Sequence, residues 1–544
     1  MAKQPLTFID LFCGCGGFSL GLMRAGYQCI AAIDADEVAT QVFRENLSDF
    51  RHPKLRPAQN ALKRDITTFA PEDLAKLIGH NSVDIIVGGP PCPGFSTARQ
   101  VDGANHGKRL KHDERRYLYQ HFLRYVEFFQ PKVFVMENVL GMRSAAGGRY
   151  FTQVQKEARA LGGRTGCHGY RVHTQIEDAW KLGAPQKRKR QLIVGVRRDI
   201  HAYMIPEIKP SPNAQPYVSL GAAIGDLPAL SAGSGFAVRP HDRTLRQKHL
   251  TKGGREASKF LQNVLEVSMA KQLTGHVARP HSDRDLRDFA RLNEGESSAV
   301  AMRKRKVKFE FPYNKDSFKD RYTRQSRFGP CSTIVAHLSK DGLMFIHPTQ
   351  NRSLTPREAA RIQTFPDWFA LPPSRSHAFR LIGNAVPPIV AEALAYHVSH
   401  FLETEHSRGD TARKQGGEII GPRGRSIAEL QRLAQLRLPE LQSVSNSVFL
   451  AGWKALLGLF AHLHPENAKD LGQDRSEIIC EDPLPRQLQP LAKKRYARSG
   501  WPIALALIGQ EAWRRVGIGS LRVDDLYILS TPSRAALHST CTNK

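Results

Sequence analysis

The chain has 544 residues, of which 41% are hydrophobic, and it carries a formal net charge of +28 with a pI of about 10.0. Because this apolar content is normal for a globular protein, disorder explains the charge poorly and a polyanionic partner explains it better. An anionic membrane surface is the competing partner, but no basic amphipathic helix favours it. The length suits about three domains.

Cysteine usage and the N-terminus together predict a cytoplasmic protein. Eight cysteines are too few for a disulfide scaffold in a chain of this length. Cys13 and Cys15 suggest a metal site, but nothing nearby completes a ligand set, so no metal is expected. The first residues lead into an apolar strand without a secretory signal pattern, and the longest apolar run, Val448–Leu463, is short for a membrane span.

The first 200 residues alternate short apolar strands with helical stretches. Strands are predicted at Leu6–Phe12, Cys29–Ile33, Val83–Val87, Val133–Met136 and Leu192–Val196. Helices are predicted at Ser19–Ala25 and Glu37–Asn46. Strands separated by helices indicate an α/β domain over residues 1–200, with a mainly parallel sheet and helices on both faces.

The pattern loosens between residues 201 and 345, where Pro, Gly, His and basic residues dominate and a smaller, irregular domain is expected. The basic clusters of this part are His241–Arg243, Arg279–Arg287 and Arg303–Lys308. A solvated face explains any single cluster as well as a binding surface does. Helices are predicted again at Ser353–Thr364 and Val386–Phe401, in a segment, 346–404, that belongs with the first domain.

The last part of the chain is set apart by composition. Residues Glu405–Arg425 are polar, basic and glycine-bearing, which predicts a linker. Ser426 and Glu429 then fit a capping box ahead of an apolar helical series, and Val448–Leu463 and Ile503–Val516 are also predicted helices. Residues 426–544 are therefore expected to form a mostly helical accessory domain, whose role the sequence does not indicate.

A glycine-rich turn, Phe12 to Gly17, follows the first strand. Glycines there let the backbone turn tightly and approach a ligand closely. Asp34 ends the next strand, where a carboxylate can accept hydrogen bonds from ribose hydroxyls, and Asp65 ends another short strand, where it can accept an adenine amine. Each Asp alone is better explained as a cap or turn residue, but together at successive strand ends they indicate a nucleoside-bearing cofactor.

Cys92 lies in the stretch Gly-Gly-Pro-Pro-Cys-Pro-Gly, directly after the strand Val83–Val87. Ligands bind at the carboxyl ends of strands in an open parallel sheet, so a rigid thiol at this place is a candidate nucleophile. A lone Cys is usually a small buried hydrophobe, but the flanking prolines disfavour that explanation.

Glu137 ends the following strand and is expected to face the same crevice, where a carboxyl group can bond the N3 and N4 edge of a cytosine. Arg188 and Arg190 precede the strand Leu192–Val196 and alternate on one face. Both are therefore expected to point inward and to fix a base carbonyl, a phosphate or Glu137 itself.

Taken in order, these motifs resemble those of the cytosine-C5 DNA methyltransferase family, of the bacterial type but with a C-terminal extension. The match runs through the glycine turn, Pro90-Pro91-Cys92, Glu137-Asn138-Val139, Gln186–Arg190, Arg352–Glu358 and Gly383–Pro388. The resemblance implies a Rossmann-like methyltransferase fold, S-adenosylmethionine as the cofactor, and reaction at a cytosine that is flipped out of double-stranded DNA.

The resemblance also implies roles for single residues. Cys92 would add to C6 of the cytosine, Glu137 would assist at N3 and Arg190 would hold the O2 side, so that C5 accepts the methyl group and then loses its proton. The residues expected by position to contact the cofactor are Phe12, Gly14, Gly16, Asp34, Asp65, Pro91 and Asn384. Asp34 stands where the family usually has Glu, and Ala35 where it often has Trp, so the ribose and adenine contacts are expected to differ.

The family pattern further makes residues 201–345 the target-recognition domain, in which phosphate contacts position a duplex and a few side chains read bases. Thr97–Arg116 resembles the mobile loop that closes over DNA, and Asp341–Pro348 the return into the catalytic domain. A cognate restriction endonuclease is a candidate partner, and the enzyme is expected to act as a monomer. The basic run Lys493–Arg498 in the tail is better explained as a solvated surface than as a DNA contact.

Two other functions fit parts of the pattern. One is an RNA methyltransferase of the same fold acting on a transfer RNA, which the long basic insert disfavours. The other is a DNA-binding protein that has lost the chemistry, which the presence of Cys92, Glu137 and Arg190 disfavours. Methyltransferases acting on exocyclic amines need an Asp/Asn/Ser-Pro-Pro-aromatic site, whereas Pro90-Pro91 is followed here by a thiol.

Overall fold

A computed structural model describes most of the chain up to residue 414. The described residues are 4–91, 114–144, 148–162, 168–200, 208–240, 243–312, 322–414, 442–445 and 448–449. The chain divides into two compact units, residues 1–405 and 406–544, and nearly all of the described residues belong to the first. Cys92, most of the loop Thr97–Arg116 and the tail helices lie outside the described residues.

A seven-stranded sheet forms the centre of the first unit. Its strands are β1 (Thr7–Leu11), β2 (Gln28–Asp34), β3 (Asn60–Lys63), β4 (Ile85–Gly88), β5 (Val133–Val139), β6 (Tyr170–Asp178) and β7 (Lys189–Arg197), in the order β3-β2-β1-β4-β5-β7-β6. The first five strands are parallel, and β7 runs antiparallel to both β5 and β6. The expectation of a mainly parallel α/β sheet is confirmed.

Alternate residues of the same strand fill two separate cores. Phe8 of β1 and Val135 of β5 belong to the core on one face, whereas Ile9 and Phe134, one residue away, belong to the core on the other face. This follows from the two-residue repeat of a strand. Because both faces are covered, the strands are apolar along nearly their whole length, as is typical of parallel sheets.

Thirteen α-helices appear among the described residues. They are α1 (Gly17–Arg24), α2 (Glu37–Phe43), α3 (Pro71–Ile78), α4 (Leu118–Phe129), α5 (Gly141–Ser144), α6 (Arg149–Ala160), α7 (Leu220–Ile224), α8 (Arg243–Lys259, kinked at Gly254), α9 (Asp283–Ala290), α10 (Ser298–Arg305), α11 (Pro356–Ile362), α12 (Arg375–Asn384) and α13 (Pro388–Lys414). Helix α4 packs on one sheet face through Phe122 and Phe129, and α13 packs on the other through Ile389 and Leu394.

Several predicted boundaries were wrong. The linker predicted at Glu405–Arg425 is helical up to Lys414, because α13 continues through these polar residues. Helix α12 was not predicted, and the helix expected from Val386 begins only at Pro388, since a proline suits the first turn of a helix. Strand β6 was also missed, because most of its side chains are polar and half-buried and its one exposed residue is the apolar Ile176, so the apolar alternation is not clean.

The region after the sheet contains little regular structure. Its only described ladder is the antiparallel pair β8 (Gly235–Pro240) and β9 (Gln272–Val277). A small aromatic core forms nearby, in which Phe289, Phe309 and Tyr322 lie in contact with one another. An irregular domain was expected here, and such a region must satisfy its main-chain groups by other means than a sheet.

Buried arginines stabilise this part of the chain through ion pairs and hydrogen bonds. Arg361 is fully buried and pairs with both Asp226 and Asp367, which joins α11 to the segment after α7. Arg352 pairs with Glu358 at 2.7 Å, and the same glutamate closes a capping box with Thr355 at the start of α11. These side chains hold the return segment in place, a role that their sequence pattern alone does not distinguish from DNA contact.

Among the described residues, one stretch, 375–402, is long and apolar enough to cross a membrane. However, 78% of its most apolar window is buried inside the protein, where it forms α12 and the first half of α13. It is thus a core element of the first unit rather than evidence for a membrane span.

Candidate active site

The glycine turn after β1 combines positive φ angles with close contacts that exclude a side chain at Gly16 and Gly17. Phe12, Gly14 and Gly16 all have positive φ, and Gly16 donates its N–H to the Cys13 carbonyl at 2.9 Å. A Cβ on Gly16 would lie 2.5 Å from Leu47, and one on Gly17 would lie 2.2 Å from the Val386 carbonyl oxygen. The turn therefore packs tightly against the protein on its inner side, while a Cβ on Gly14 would meet open space.

Asp34 lies across this turn at the end of β2. Its Oδ2 accepts the Gly14 N–H at 2.9 Å and its Oδ1 accepts the Asp36 N–H at 2.9 Å, and burial raises the pKa of the carboxyl group above its usual value. Asp36 in turn pairs with Arg380 of α12. The carboxylate expected to meet a ribose is therefore fixed in orientation by the glycine turn itself.

Asp65 follows β3 and is exposed. Its Oδ1 accepts hydrogen bonds from the N–H and the hydroxyl of Thr67, at 2.9 and 2.7 Å, and these bonds lower the pKa of its carboxyl group. Pro91 follows β4, and Asn384 ends α12; both are exposed. The strand order β3-β2-β1-β4 places Asp65, Asp34, the glycine turn and Pro91 along one edge of the sheet.

Glu137 and Arg190 form an ion pair at the same edge. Arg190 Nε lies 3.0 Å from Glu137 Oε1, and the two side chains are only 17% and 11% exposed. Glu137 of β5 stands opposite Leu192 of the antiparallel strand β7, so Arg190 is its diagonal neighbour on the same face. Burial lowers the pKa of the Arg190 guanidinium, and the Glu137 carboxylate beside it opposes that shift.

The segment that leads to Cys92 lies directly against this pair. Asn138 donates from Nδ2 to the Pro90 carbonyl at 3.1 Å, which ties the chain after β4 to the end of β5. A Cβ on Gly89 would come 3.5 Å from Glu137 Oε2. Cys92 itself lies outside the described residues, two positions beyond Pro90 in sequence.

A cleft of about 370 Å³, including space open to solvent, is lined by Glu137, Arg188, Arg190 and apolar side chains such as Phe18 and Val386. Arg188 is fully buried, and its guanidinium donates to the carbonyls of Ile334 and Ala385 at 2.8 and 2.9 Å. The sequence predicted that Arg188 and Arg190 act alike. Their contacts differ because β7 begins only at Lys189, so that Arg188 precedes the strand.

Two buried glutamines complete the same network and were not singled out from the sequence. Gln186 donates from Nε2 to Gln363 Oε1 at 2.6 Å and accepts the Ile334 N–H at 3.1 Å. Gln363 donates to the Ala385 carbonyl at 3.1 Å. The only sequence signal for them is a polar residue within an otherwise buried motif.

The four cysteines that the structure describes are all buried: Cys13, Cys15, Cys29 and Cys331. Burial raises the pKa of each thiol, that of Cys15 to about 12. A thiol held in this way is a poor nucleophile. Within the described residues, no group of three or more His, Cys, Asp or Glu side chains is placed to hold a metal ion.

The sequence and the fold were compared with known proteins. The sequence model of the C-5 cytosine-specific DNA methylase family matches residues 6–400. The type II methyltransferase M.DdeI of Desulfomicrobium norvegicum is 34% identical over 73% of this chain and 89% of its own length. M1.HphI of Haemophilus parahaemolyticus, also a type II methyltransferase, is 30% identical over 72% of this chain and 86% of its own length.

Among solved structures, the chain is similar to a candidate DNA modification methyltransferase encoded within an E. coli prophage. The TM-score is 0.53 at 27% identity, over 73% of this chain and 99% of that one. Sheet, glycine turn and fold neighbour define a Rossmann-like methyltransferase. The chain belongs to the C-5 cytosine-specific DNA methylase family and is thus a DNA (cytosine-5-)-methyltransferase. The resemblance stated from the sequence is confirmed.

Proposed function

We propose that the chain transfers a methyl group from S-adenosylmethionine to C5 of a cytosine in double-stranded DNA, at one specific sequence and with Cys92 as the nucleophile. The observation that carries the proposal is the Glu137–Arg190 ion pair, which lies against the Gly89-Pro90 segment at the carboxyl edge of the sheet. A buried carboxyl group and a guanidinium side by side match the N3 and O2 edge of a cytosine.

The residues at the glycine turn fit the cofactor. Gly14 leaves open space where a side chain would stand, and Asp34 presents a fixed carboxylate beside it for ribose hydroxyls. Phe12, Gly16, Asp65, Pro91 and Asn384 would complete the site. When bound, S-adenosylmethionine supplies the methyl group.

The protein's own groups would act on the base. Cys92 as a thiolate adds to C6, which breaks the C5–C6 double bond and makes C5 electron-rich. Glu137 holds a proton at N3 during this step, and Arg190 binds O2. After C5 is methylated, its proton leaves, and the pair of electrons re-forms the double bond and expels the Cys92 thiolate.

Arg188 acts differently from Arg190 in this proposal. It binds the carbonyl of Ala385, directly after Asn384, and the carbonyl of Ile334, so it positions the segment that carries Asn384 and does not touch the base. Arg188→Lys is expected to raise the KM for S-adenosylmethionine more than it lowers kcat, whereas Arg190→Lys is expected to lower kcat.

Residues 201–345 are proposed as the target-recognition domain. Arg303, Lys304, Lys306 and Lys308 are exposed at and beyond the C-terminal end of α10, whereas Arg287 and Arg291 are paired with Glu310. Exposed cations of this kind bind phosphates, so methylation is expected to weaken steeply as salt rises. A rate that does not depend on ionic strength would contradict this assignment.

The relatives' names place them among type II methyltransferases. We therefore extend the proposal to a cytoplasmic restriction–modification role, in which the methylated sequence is protected from a cognate endonuclease. Residues 346–404 would complete the catalytic domain. The protein is proposed to act as a monomer, and residues 426–544 remain an accessory domain without an assigned role.

The test is covalent trapping on a duplex that carries 5-fluorocytosine at the methylated position. Because fluorine cannot leave C5 as a proton does, methyl transfer should leave the enzyme bonded to C6 and resistant to SDS. Wild type and Cys29→Ala, which removes a buried thiol, should form the adduct, and Cys92→Ala should not. An adduct with Cys92→Ala would overturn the assignment of the nucleophile.

A further inference from the structure

Phe328 is the most exposed large hydrophobic side chain among the described residues, at 80%. An exposed apolar residue is common on protein surfaces and by itself indicates nothing. Phe328 differs from an ordinary surface residue in how firmly its backbone is held and in what surrounds it.

The backbone on both sides of Phe328 is clamped. The first amides of α7 donate to it: Leu220 N–H to the Gly329 carbonyl at 2.8 Å and Gly221 N–H to the Arg327 carbonyl at 2.9 Å. Gly221 permits this approach, because a Cβ there would lie 2.8 Å from the Arg327 oxygen. The backbone at the tip of the loop is therefore held in place before any partner binds, and a loop that is already ordered loses less entropy on binding.

The side chain of Arg327 is fixed as well. Its Nε donates to Glu294 Oε2 at 3.1 Å and its N–H donates to Glu294 Oε1 at 2.6 Å. The guanidinium carbon lies 5.1 Å from the centre of the Phe328 ring, within the range of a cation–π contact. An aromatic ring and a guanidinium together project from the surface at this point.

This tip is connected to the active site by a short, bonded path. Three residues after Phe328, Cys331 accepts the Lys187 N–H on its carbonyl at 2.8 Å and donates its own N–H to the Pro185 carbonyl at 2.9 Å. Phe328 therefore lies within about 11 Å of Cys331 along the chain. Lys187, which is exposed, is three residues before Arg190 of the proposed catalytic pair.

We propose that Phe328 is a preformed stacking tip that inserts between bases of the DNA duplex beside the cytosine being methylated. This inference rests on the proposed function. DNA suits the tip better than a protein does, because the exposed cation Lys187 is bonded through its main chain to Cys331 of the same loop and can bind a phosphate. Apolar side chains that enter a duplex separate neighbouring bases and lower the cost of removing one from the stack.

The test compares methylation of two duplexes that contain the mapped target sequence. In one the target cytosine is paired, and in the other it faces an abasic position, so that less stacking and pairing must be broken. Phe328→Ala is expected to lower kcat/KM on the paired duplex by about 5- to 150-fold, the range for removing one base-stacking interaction. The loss should be clearly smaller on the abasic duplex, and Phe328→Trp should restore most of the activity.

Phe236→Ala is the matched control. Phe236 is 60% exposed and has Arg239 over its ring at 5.7 Å, but it belongs to β8 and not to the clamped loop. It should stay within twofold of wild type on both duplexes. Equal losses on both duplexes with Phe328→Ala, or no loss, would overturn the proposal. Faster sedimentation of the wild type than of Phe328→Ala without DNA would also overturn it, because Phe328 would then bind protein. If the wild type itself fails to methylate cytosine, the proposed function has failed instead.

Discussion

Two regions of the first unit are stabilised by different means. One is the central sheet, and the other, called the second region below, is the part of the unit that follows β7 in the chain. In the sheet, neighbouring apolar residues such as Phe134 and Val135 fill two cores, and the strands pair their own main-chain groups. Beyond the sheet, buried arginines do much of this work: Arg324 alone donates to the carbonyls of Phe289, Leu292, His347 and Gln350. A guanidinium has five donors, so it can satisfy several carbonyls that no ladder reaches.

We expect the largest loss of stability when a buried arginine of the second region is replaced by an uncharged residue. Arg361→Met would leave Asp226 buried without its cation and Asp367 with only Arg357, 4.0 Å away, and losing one partner of a buried ion pair costs about 3–5 kcal/mol. Urea unfolding should show that loss in the free energy of unfolding. Arg303→Met, at an exposed position, is the control and should change it by less than about 0.5 kcal/mol. A loss below about 1 kcal/mol for Arg361→Met would contradict the view that buried arginines stabilise the second region.

The second region should also be the one that responds to mild acid. Burial lowers the pKa of His347 from 6.5 to about 4. Between these values the unfolded chain binds a proton that the folded chain does not, so stability falls as the pH falls from 6.5 to 4, by up to about 3 kcal/mol. Denaturant titrations across this range should show a shallower fall for His347→Asn.

The exposed His377 provides the control for this titration. His377→Asn replaces an exposed imidazole and should change the free energy of unfolding at pH 7 by less than about 0.5 kcal/mol. If His347→Asn and wild type lose stability in parallel, His347 is not the group that binds the extra proton.

In the sheet, by contrast, we expect close packing to determine which substitutions lower the stability. A Cβ on Gly195 of β7 would lie 1.9 Å from the Phe134 ring on the neighbouring strand. Gly195→Ala should therefore destabilise the protein by about 1–3 kcal/mol, as overpacked cores do. Gly329→Ala meets nothing within 4 Å and should leave the melting temperature unchanged. Equal melting temperatures for the two variants would show that the sheet tolerates the added methyl group.

The smallest effect on stability is expected from the exposed cations after α10. Lys306→Ala with Lys308→Ala should change the free energy of unfolding by less than about 0.5 kcal/mol. The same pair should reduce the dependence of log Kd on log salt by about 0.9 for each phosphate that the two lysines neutralise. An unchanged slope in a fluorescence-anisotropy titration would place these lysines away from DNA.

Sequence reasoning succeeded where periodicity controls structure. Strands β1 and β2 were predicted within one or two residues, because their apolar runs are buried on both faces. Strand alternation placed Arg190 on the inward face and left three partners open for it, a base carbonyl, a phosphate or Glu137; in the structure it pairs with Glu137. Strand β6 has mostly polar residues at the sheet edge, so no pattern marked it.

The roles of the arginines could not be predicted from the periodicity of the sequence. Arg188 and Arg190 share a motif, and only the start of β7 at Lys189 separates their contacts. Arg352 and Arg361 lie in the segment 346–404, and the sequence does not show that each pairs with a buried carboxylate. Whether a guanidinium meets a phosphate or a carbonyl depends on segments far away in sequence.

Bisulfite sequencing shows directly whether the protein methylates one cytosine of a specific sequence. DNA treated with the wild-type protein and S-adenosylmethionine should contain one cytosine, in every copy of one short sequence, that resists conversion. With Cys92→Ala that cytosine should be converted completely. With Glu137→Gln the rate of methyl transfer should be lower by about 10²–10⁴-fold, so that most copies are still converted. Protection that persists with Cys92→Ala, or no protected cytosine with wild type, would contradict the account.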